Sequence, residues 1–173
     1  MPPSLVFVYG TLKSGEPNNH VLTTSTGTFR LMSTGTTVDT FPLVVGTQLN
    51  IPFALYQPGS GKNIYGEVYE VDDVKLANLD TLEGHPHIYK RHLEKVVLTD
   101  TSETVEAWIY MIPKWTDEFQ SSASSPITNY SSTGARLYLN GMKRSEMKPT
   151  EDDKMSLYVG VLGFDPRQNR QAT

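Results

Sequence analysis

A chain of 173 residues, 38% hydrophobic and 20% charged, suits one domain with a real core, and its net charge of -4 gives no footprint for nucleic acid or an anionic membrane. The absence of cysteine excludes disulfides, thiolate metal sites and cysteine nucleophiles, and it makes the cytosol the default compartment. No apolar run approaches the roughly 20 residues of a membrane helix, and the run after Ser4 is too short to predict a secretory signal.

Leu5-Val6-Phe7-Val8 is continuous and apolar, as in a strand buried on both faces. It stops on Tyr9-Gly10-Thr11-Leu12, and Gly15, Pro17, Asn18 and Asn19 then mark a loop. Thr28 to Met32 reads as a short strand. The run Phe41 to Val45 contains Pro42, which predicts an edge strand or a crossing loop. Phe53 to Tyr56 precedes the turn cluster PGSGK. Ile64 to Val71 alternates in the manner of a strand. Asp72 and Asp73 supply a helix start, and Val74, Leu76, Leu79 and Leu82 recur at helical spacing. The spacing predicts a helix over about Asp73 to Glu83, ended by Gly84 and Pro86. Tyr89 to Leu98 and Thr104 to Met111 read as two strands joined by TDTSE.

After Pro113 the character changes. QSSASSPITNYSSTG is serine-rich and GMKRSEMKPTEDDKM is dense in charge, so residues 120–173 are expected to wrap the surface or be partly mobile. SLYVGVLGF reads as a returning strand and DPRQNRQAT as a tail. Many short strands, one clear helix and no strand–helix alternation predict an α+β fold. The expected architecture is a small mixed, partly closed β-barrel with a helix packed on it, in a single domain 1–173.

Glu83 breaks a local rule. The last turn of a helix carries partial negative charge, and a carboxylate there is disfavoured by about 0.3–1 kcal/mol. Leu82 places it close to the apolar stripe. Both effects raise its pKa and make it a candidate general base and general acid. The plain alternative is a solvated glutamate at a helix end. Tyr9-Gly10-Thr11 is a strand end on the plain reading; on the functional one, Gly10 turns backbone N–H groups toward a small anion. His85 and His87 flank Pro86, with His92 and Glu94 downstream, but the turn at Pro86 and the missing third ligand argue against a metal site. No nucleophilic-serine or phosphate-loop motif occurs.

Taken together, LVFVYGTLKSGEPNNHVL, FPLVVG, NIPFALYQPGSGKNIYGEVYEVD, LDTLEGHPHIYKR and FDPRQNR resemble the gamma-glutamylamine cyclotransferases, within the wider gamma-glutamylcyclotransferase-like superfamily. The resemblance is dense over residues 4–111. It implies a small β-barrel with flanking helices, no cofactor, no metal and a small-molecule substrate. The family's essential glutamate falls on Glu83, and its substrate loop on Tyr9, Gly10, Thr11 and Leu12. Tyr9 and Tyr89 become candidates for lining the pocket or stabilising an oxyanion. One departure concerns the loop: His20 stands one residue later than in the family pattern, behind Asn19.

The implied reaction is attack of the substrate's α-amino group on its own γ-glutamyl carbonyl. It gives 5-oxoproline and a free amine, lysine in the case of the isopeptide left by transglutaminase cross-links. The alternatives are a cyclotransferase for γ-glutamyl amino acids or glutathione, and a non-catalytic binding protein. A cytoplasmic monomer is expected, without nucleic-acid or membrane partners.

Overall fold

The computed structural model describes residues 2–47, 50–132, 138–139, 142–143 and 151–168. In chain order the elements are β1 (Ser4–Val8), α1 (Asn19–Thr24), β2 (Phe29–Phe41), β3 (Leu43–Gly46), β4 (Ile51–Ala54), β5 (Lys62–Val71), α2 (Asp73–Glu83), β6 (Lys90–Leu98), β7 (Thr104–Met111), α3 (Asp117–Ser122), β8 (Tyr138–Leu139), β9 (Met142–Lys143) and α4 (Glu151–Leu162).

Five strands close into a mixed barrel in the order β1-β5-β2-β6-β7. Closure is made by β1, antiparallel to β5 and parallel to β7, where Val6 faces Trp108. The apolar run of β1 serves two cores: Phe7 packs inside the barrel with Ile64, Val68, Val96 and Ile109, while Val6 and Val8 pack outside it with Leu79, Tyr89 and Phe53. A strand buried on both faces needs no alternation, which is why its sequence is continuous.

The expected strand at Thr28 to Met32 is the start of the 13-residue β2. Its inward positions are Ser33, Gly35 and Thr37. These small, partly polar residues leave no trace in hydrophobic periodicity. A Cβ at Gly35 would lie 2.7 Å from Val96 Cγ1, so the barrel is too tight for a larger residue there.

Two expectations are corrected. SLYVGVLGF belongs to the helix α4, because Met155, Tyr158, Val161 and Leu162 recur at spacings of three and four and pack on the outer core. In α2, Val74 and Leu82 are exposed, and the buried residues are Lys75 and Leu79. The inward row of α2 is therefore Lys75, Leu79 and Glu83, each four residues from the last.

Lys75 is fully buried, and its ammonium is fully satisfied. Nζ donates to Leu22 O at 2.6 Å, Ser25 O at 2.7 Å and Ser25 Oγ at 2.8 Å. These bonds tie the end of α1, and with it the loop that follows β1, to α2.

The serine-rich stretch wraps the barrel. Ser124 N donates to Val45 O, Ile127 N to Leu43 O and Tyr65 N to Thr128 O, at 2.8–2.9 Å. Most of the charged run before α4, residues 144–150, and the end of the tail, 169–173, lie outside the described residues. Among the described residues no helix is long and apolar enough to cross a membrane.

Truncating Lys75 leaves buried carbonyls without a donor. Lys75→Ala is expected to cost about 1–3 kcal/mol of stability, read as a lower Tm in a thermal melt.

Candidate active site

The helix α2 is stopped sharply at both ends. Asp72 accepts from Lys75 N at 2.8 Å and from Thr28 N at 2.9 Å. Gly84 takes a left-handed conformation with φ 63°, and His85 N closes on Asp80 O at 2.9 Å. The His85-Pro86 peptide is cis. Tyr89 N then donates to Glu83 O at 3.2 Å, returning the chain past the end of the helix into β6. Glu83 is thus the last helical residue, at the end of the inward row.

Burial pushes the Glu83 carboxyl up to about 7. Leu82 has no part in this, because it points to solvent; the protein packed around the carboxyl removes its water. Among the described residues the carboxyl has neither a hydrogen-bond nor an ionic partner. A carboxyl in that state holds or releases a proton near neutral pH.

Three phenols surround it closely enough that its charge raises the pKa of Tyr9, Tyr89 and Tyr110, burial being the larger cause in each. The phenolic protons are already engaged. Tyr9 donates to Tyr110 O at 2.6 Å, Tyr89 to Pro52 O at 3.4 Å and Tyr110 to Asp80 Oδ1 at 2.6 Å. Tyr9 and Tyr89 both lie near Glu83, with their hydroxyls bonded within the protein. Asp80, one turn before Glu83, is held by Arg91 Nε at 2.8 Å, and Arg91 lies over Trp108 at 4.3 Å. The Arg91 guanidinium and the Tyr110 hydroxyl hold Asp80 below its ordinary range against the opposing effect of burial. The Asp80–Arg91–Tyr110 network is not apparent from the sequence reading; its one signal is the placement of Asp80 three residues before Glu83, on a neighbouring part of the helix face.

Tyr9 leads directly into Gly10-Thr11-Leu12. The carbonyls of this loop are all taken: Gly10 O by Lys13 N at 3.1 Å, Thr11 O by Asn18 N at 2.8 Å and Leu12 O by Asn19 Nδ2 at 2.9 Å. Among the described residues the N–H groups of Gly10, Thr11 and Leu12 have no partner. Gly10 opens the expected turn, its carbonyl accepting from Lys13 N, without entering the left-handed region. Glycine is required because a Cβ would lie 2.8 Å from Pro52 Cγ. Further along, Lys13 Nζ donates to Asn129 Oδ1 at 2.5 Å and Tyr130 O at 2.6 Å, and Ser14 N to Glu67 Oε1 at 2.5 Å. Asn18 and Asn19 brace the loop, whereas His20 is exposed and bonded to Pro17 O.

The histidines lie apart in function. His85 Nδ1 accepts from Arg91 N at 3.2 Å, and His92 stacks on Tyr56 at 3.7 Å. Among the described residues no group of three or more His, Cys, Asp or Glu is arranged to hold a metal ion.

A closed barrel that carries a half-buried carboxyl without a bonding partner, and a loop whose N–H groups are unpaired among the described residues, makes a small-barrel protein with a candidate acid–base site. A family model described as gamma-glutamyl cyclotransferase, AIG2-like, matches residues 6–131. The chain is 46% identical over 134 residues to CG2811 of Drosophila melanogaster, provisionally named a gamma-glutamylcyclotransferase, covering 77% of this chain and 83% of that one. It is 39% identical over 121 residues to mouse gamma-glutamylaminecyclotransferase, covering 66% and 81%. The crystal structure of a mouse AIG2-like protein superposes with a TM-score of 0.76 at 32% identity, over 87% of this chain and 99% of that one. The chain belongs to the gamma-glutamyl cyclotransferase, AIG2-like family, a family of enzymes.

The raised pKa of Glu83 has a stability consequence. Its folded value of about 7 exceeds the ordinary 4.5, so the folded state holds the proton more tightly, and stability is lost as pH rises through about 7. Glu83→Gln removes that loss. The variant is expected to be more stable than wild type by about 1–3 kcal/mol at about pH 8, with the gap closing toward about pH 5, as thermal melts at the two pH values would show.

Proposed function

We propose that this enzyme is a gamma-glutamylamine cyclotransferase acting on Nε-(γ-glutamyl)-lysine, releasing 5-oxoproline and lysine from the remnants of transglutaminase cross-links, as a cytosolic monomer. The observation that carries the reading is Glu83, half-buried, without a bonding partner and raised to about 7, close enough to Tyr9 to act on its phenol, together with the unpaired N–H groups of Gly10, Thr11 and Leu12 that follow Tyr9. The family and the named relatives support the γ-glutamyl class of substrate.

In this reading the three N–H groups grip the substrate's α-carboxylate and curl the glutamyl unit. Its α-nitrogen and γ-carbonyl carbon then come within about 3–3.5 Å of one another. Tyr9 and Tyr89 form the walls. The ionised Glu83 takes a proton from the α-ammonium, since only the free amine attacks. The new C–N bond closes a five-membered lactam. Collapse of the tetrahedral intermediate breaks the old amide bond, and protonated Glu83 gives its proton to the departing amine. The ring nitrogen's surplus proton also passes to the leaving nitrogen. Protons on the two nitrogens are conserved, no water enters, and the carboxyl ends ionised as it began.

The test is to supply Nε-(γ-glutamyl)-lysine, γ-glutamyl-alanine and glutathione in turn and quantify 5-oxoproline. Turnover of the isopeptide in preference to the other two is expected. Glu83→Gln should lower kcat by about 10²–10⁴-fold while the protein stays folded. For wild type, kcat/KM should rise with pH through an inflection near 7, the ionisation of Glu83. Preference for γ-glutamyl-alanine or glutathione would move the enzyme to another substrate branch. Full activity in Glu83→Gln would remove the mechanism.

A further inference from the structure

The family match ends at residue 131, and α4 lies wholly beyond it. Even so, α4 reaches the site. Thr116 N donates to Val161 O at 2.9 Å and Thr116 Oγ1 to Gly160 O at 3.1 Å, docking the helix beside α3, while Val161 and Leu162 are buried in the outer core. One turn earlier on the same face stands Tyr158. Its ring meets Tyr89 edge-on at 6.0 Å and 81°, and Phe53 edge-on at 6.3 Å and 83°. Tyr89 and Phe53 are themselves stacked at 6.2 Å. Its phenol also lies close enough to those of Tyr9 and Tyr89 to raise both. Tyr158 is only partly buried, so part of its surface is open to a ligand.

We propose that Tyr158 is a specificity-determining residue: seated edge-on against the buried Tyr89 and Phe53, it presents the partly exposed aromatic ring against which the leaving amine of the substrate lies. The inference rests on the cyclotransferase reading. In that reading, the loop N–H groups take the α-carboxylate of the glutamyl unit and Glu83 its α-ammonium. Beyond the reacting carbonyl the substrate continues as the leaving nitrogen and a four-carbon alkyl chain that ends in the α-amino and carboxylate groups of lysine. A surface of aromatic ring faces and edges buries such a chain, and truncating a contact of this kind weakens selection by about tenfold or more. An element outside the family match thereby decides which amine is accepted, while the chemistry stays on residues within it.

Two substrates with the same glutamyl half separate the roles: Nε-(γ-glutamyl)-lysine and γ-glutamyl-methylamine. The readout is the ratio of their kcat/KM values in wild type, Tyr158→Phe and Tyr158→Ala. In Tyr158→Ala the preference for the long amine is expected to fall about tenfold, chiefly through KM. Tyr158→Phe retains the ring and should retain most of the preference. If the alanine variant fails to fold, Tyr158→Leu is read by the same ratio, since it keeps bulk and loses the aromatic face. An unchanged ratio in every folded variant overturns the inference and leaves the functional reading standing, as does an equal loss on both substrates. If wild type turns over neither compound, the functional reading falls and this inference with it.

Discussion

The structure turns on how α2 places two ionisable groups on one face, Lys75 fully buried and Glu83 half-buried. Lys75 and Glu83 sit two turns apart on the row that also carries Leu79. Lys75 receives three acceptors from α1 and the residue after it, so its charge is paid for by hydrogen bonds and it serves as a fastener. Glu83 receives none. Its carboxyl is partly shielded from water without gaining a donor, and that shielding moves its proton affinity to the range where acid–base chemistry runs at neutral pH.

The loop after β1 follows the complementary logic. Its three carbonyls are taken by Lys13, Asn18 and Asn19, and its three N–H groups have no partners among the described residues. Such a loop holds its shape only if it is braced from outside. The braces come from distant parts of the chain: Pro52 against Gly10, Glu67 on Ser14, and Asn129 with Tyr130 on Lys13. The serine-rich wrap, with few core residues of its own, is one of these braces. The carboxyl and the loop meet through Tyr9, which bonds the backbone of Tyr110, whose own hydroxyl is held by Asp80 on α2.

Much of this was legible in the chain. The helix from Asp73 to Glu83 was bounded correctly because Asp72 and Gly84 are strong local signals that need no tertiary context. The strand β5 is legible from alternation, and β6 and β7 from two runs joined by the turn TDTSE. The α4 segment was misread because SLYVGVLGF is short, apolar and rich in valine, and a run of that length does not distinguish strand from helix. Its helical character becomes visible only when Met155 and Tyr158 are seen to share a face with Val161. The inward polar residues of β2 were invisible for a different reason: Ser33, Gly35 and Thr37 are buried for their small size, which hydrophobicity does not encode.

Sequence by itself determined the mixed barrel class, the end of α2, the oddity of a glutamate there, and, through resemblance, the family. Those features rest on local rules and on motifs read within a few residues of one another. Tertiary structure alone decided that partial burial raises the Glu83 carboxyl, that the loop's carbonyls rather than its N–H groups are occupied, and that α4 brings Tyr158 to Tyr89 and Phe53. Burial and hydrogen-bond partnership are properties of groups brought together from far apart in the chain, and a linear pattern carries no record of which distant atoms remove a carboxyl's water.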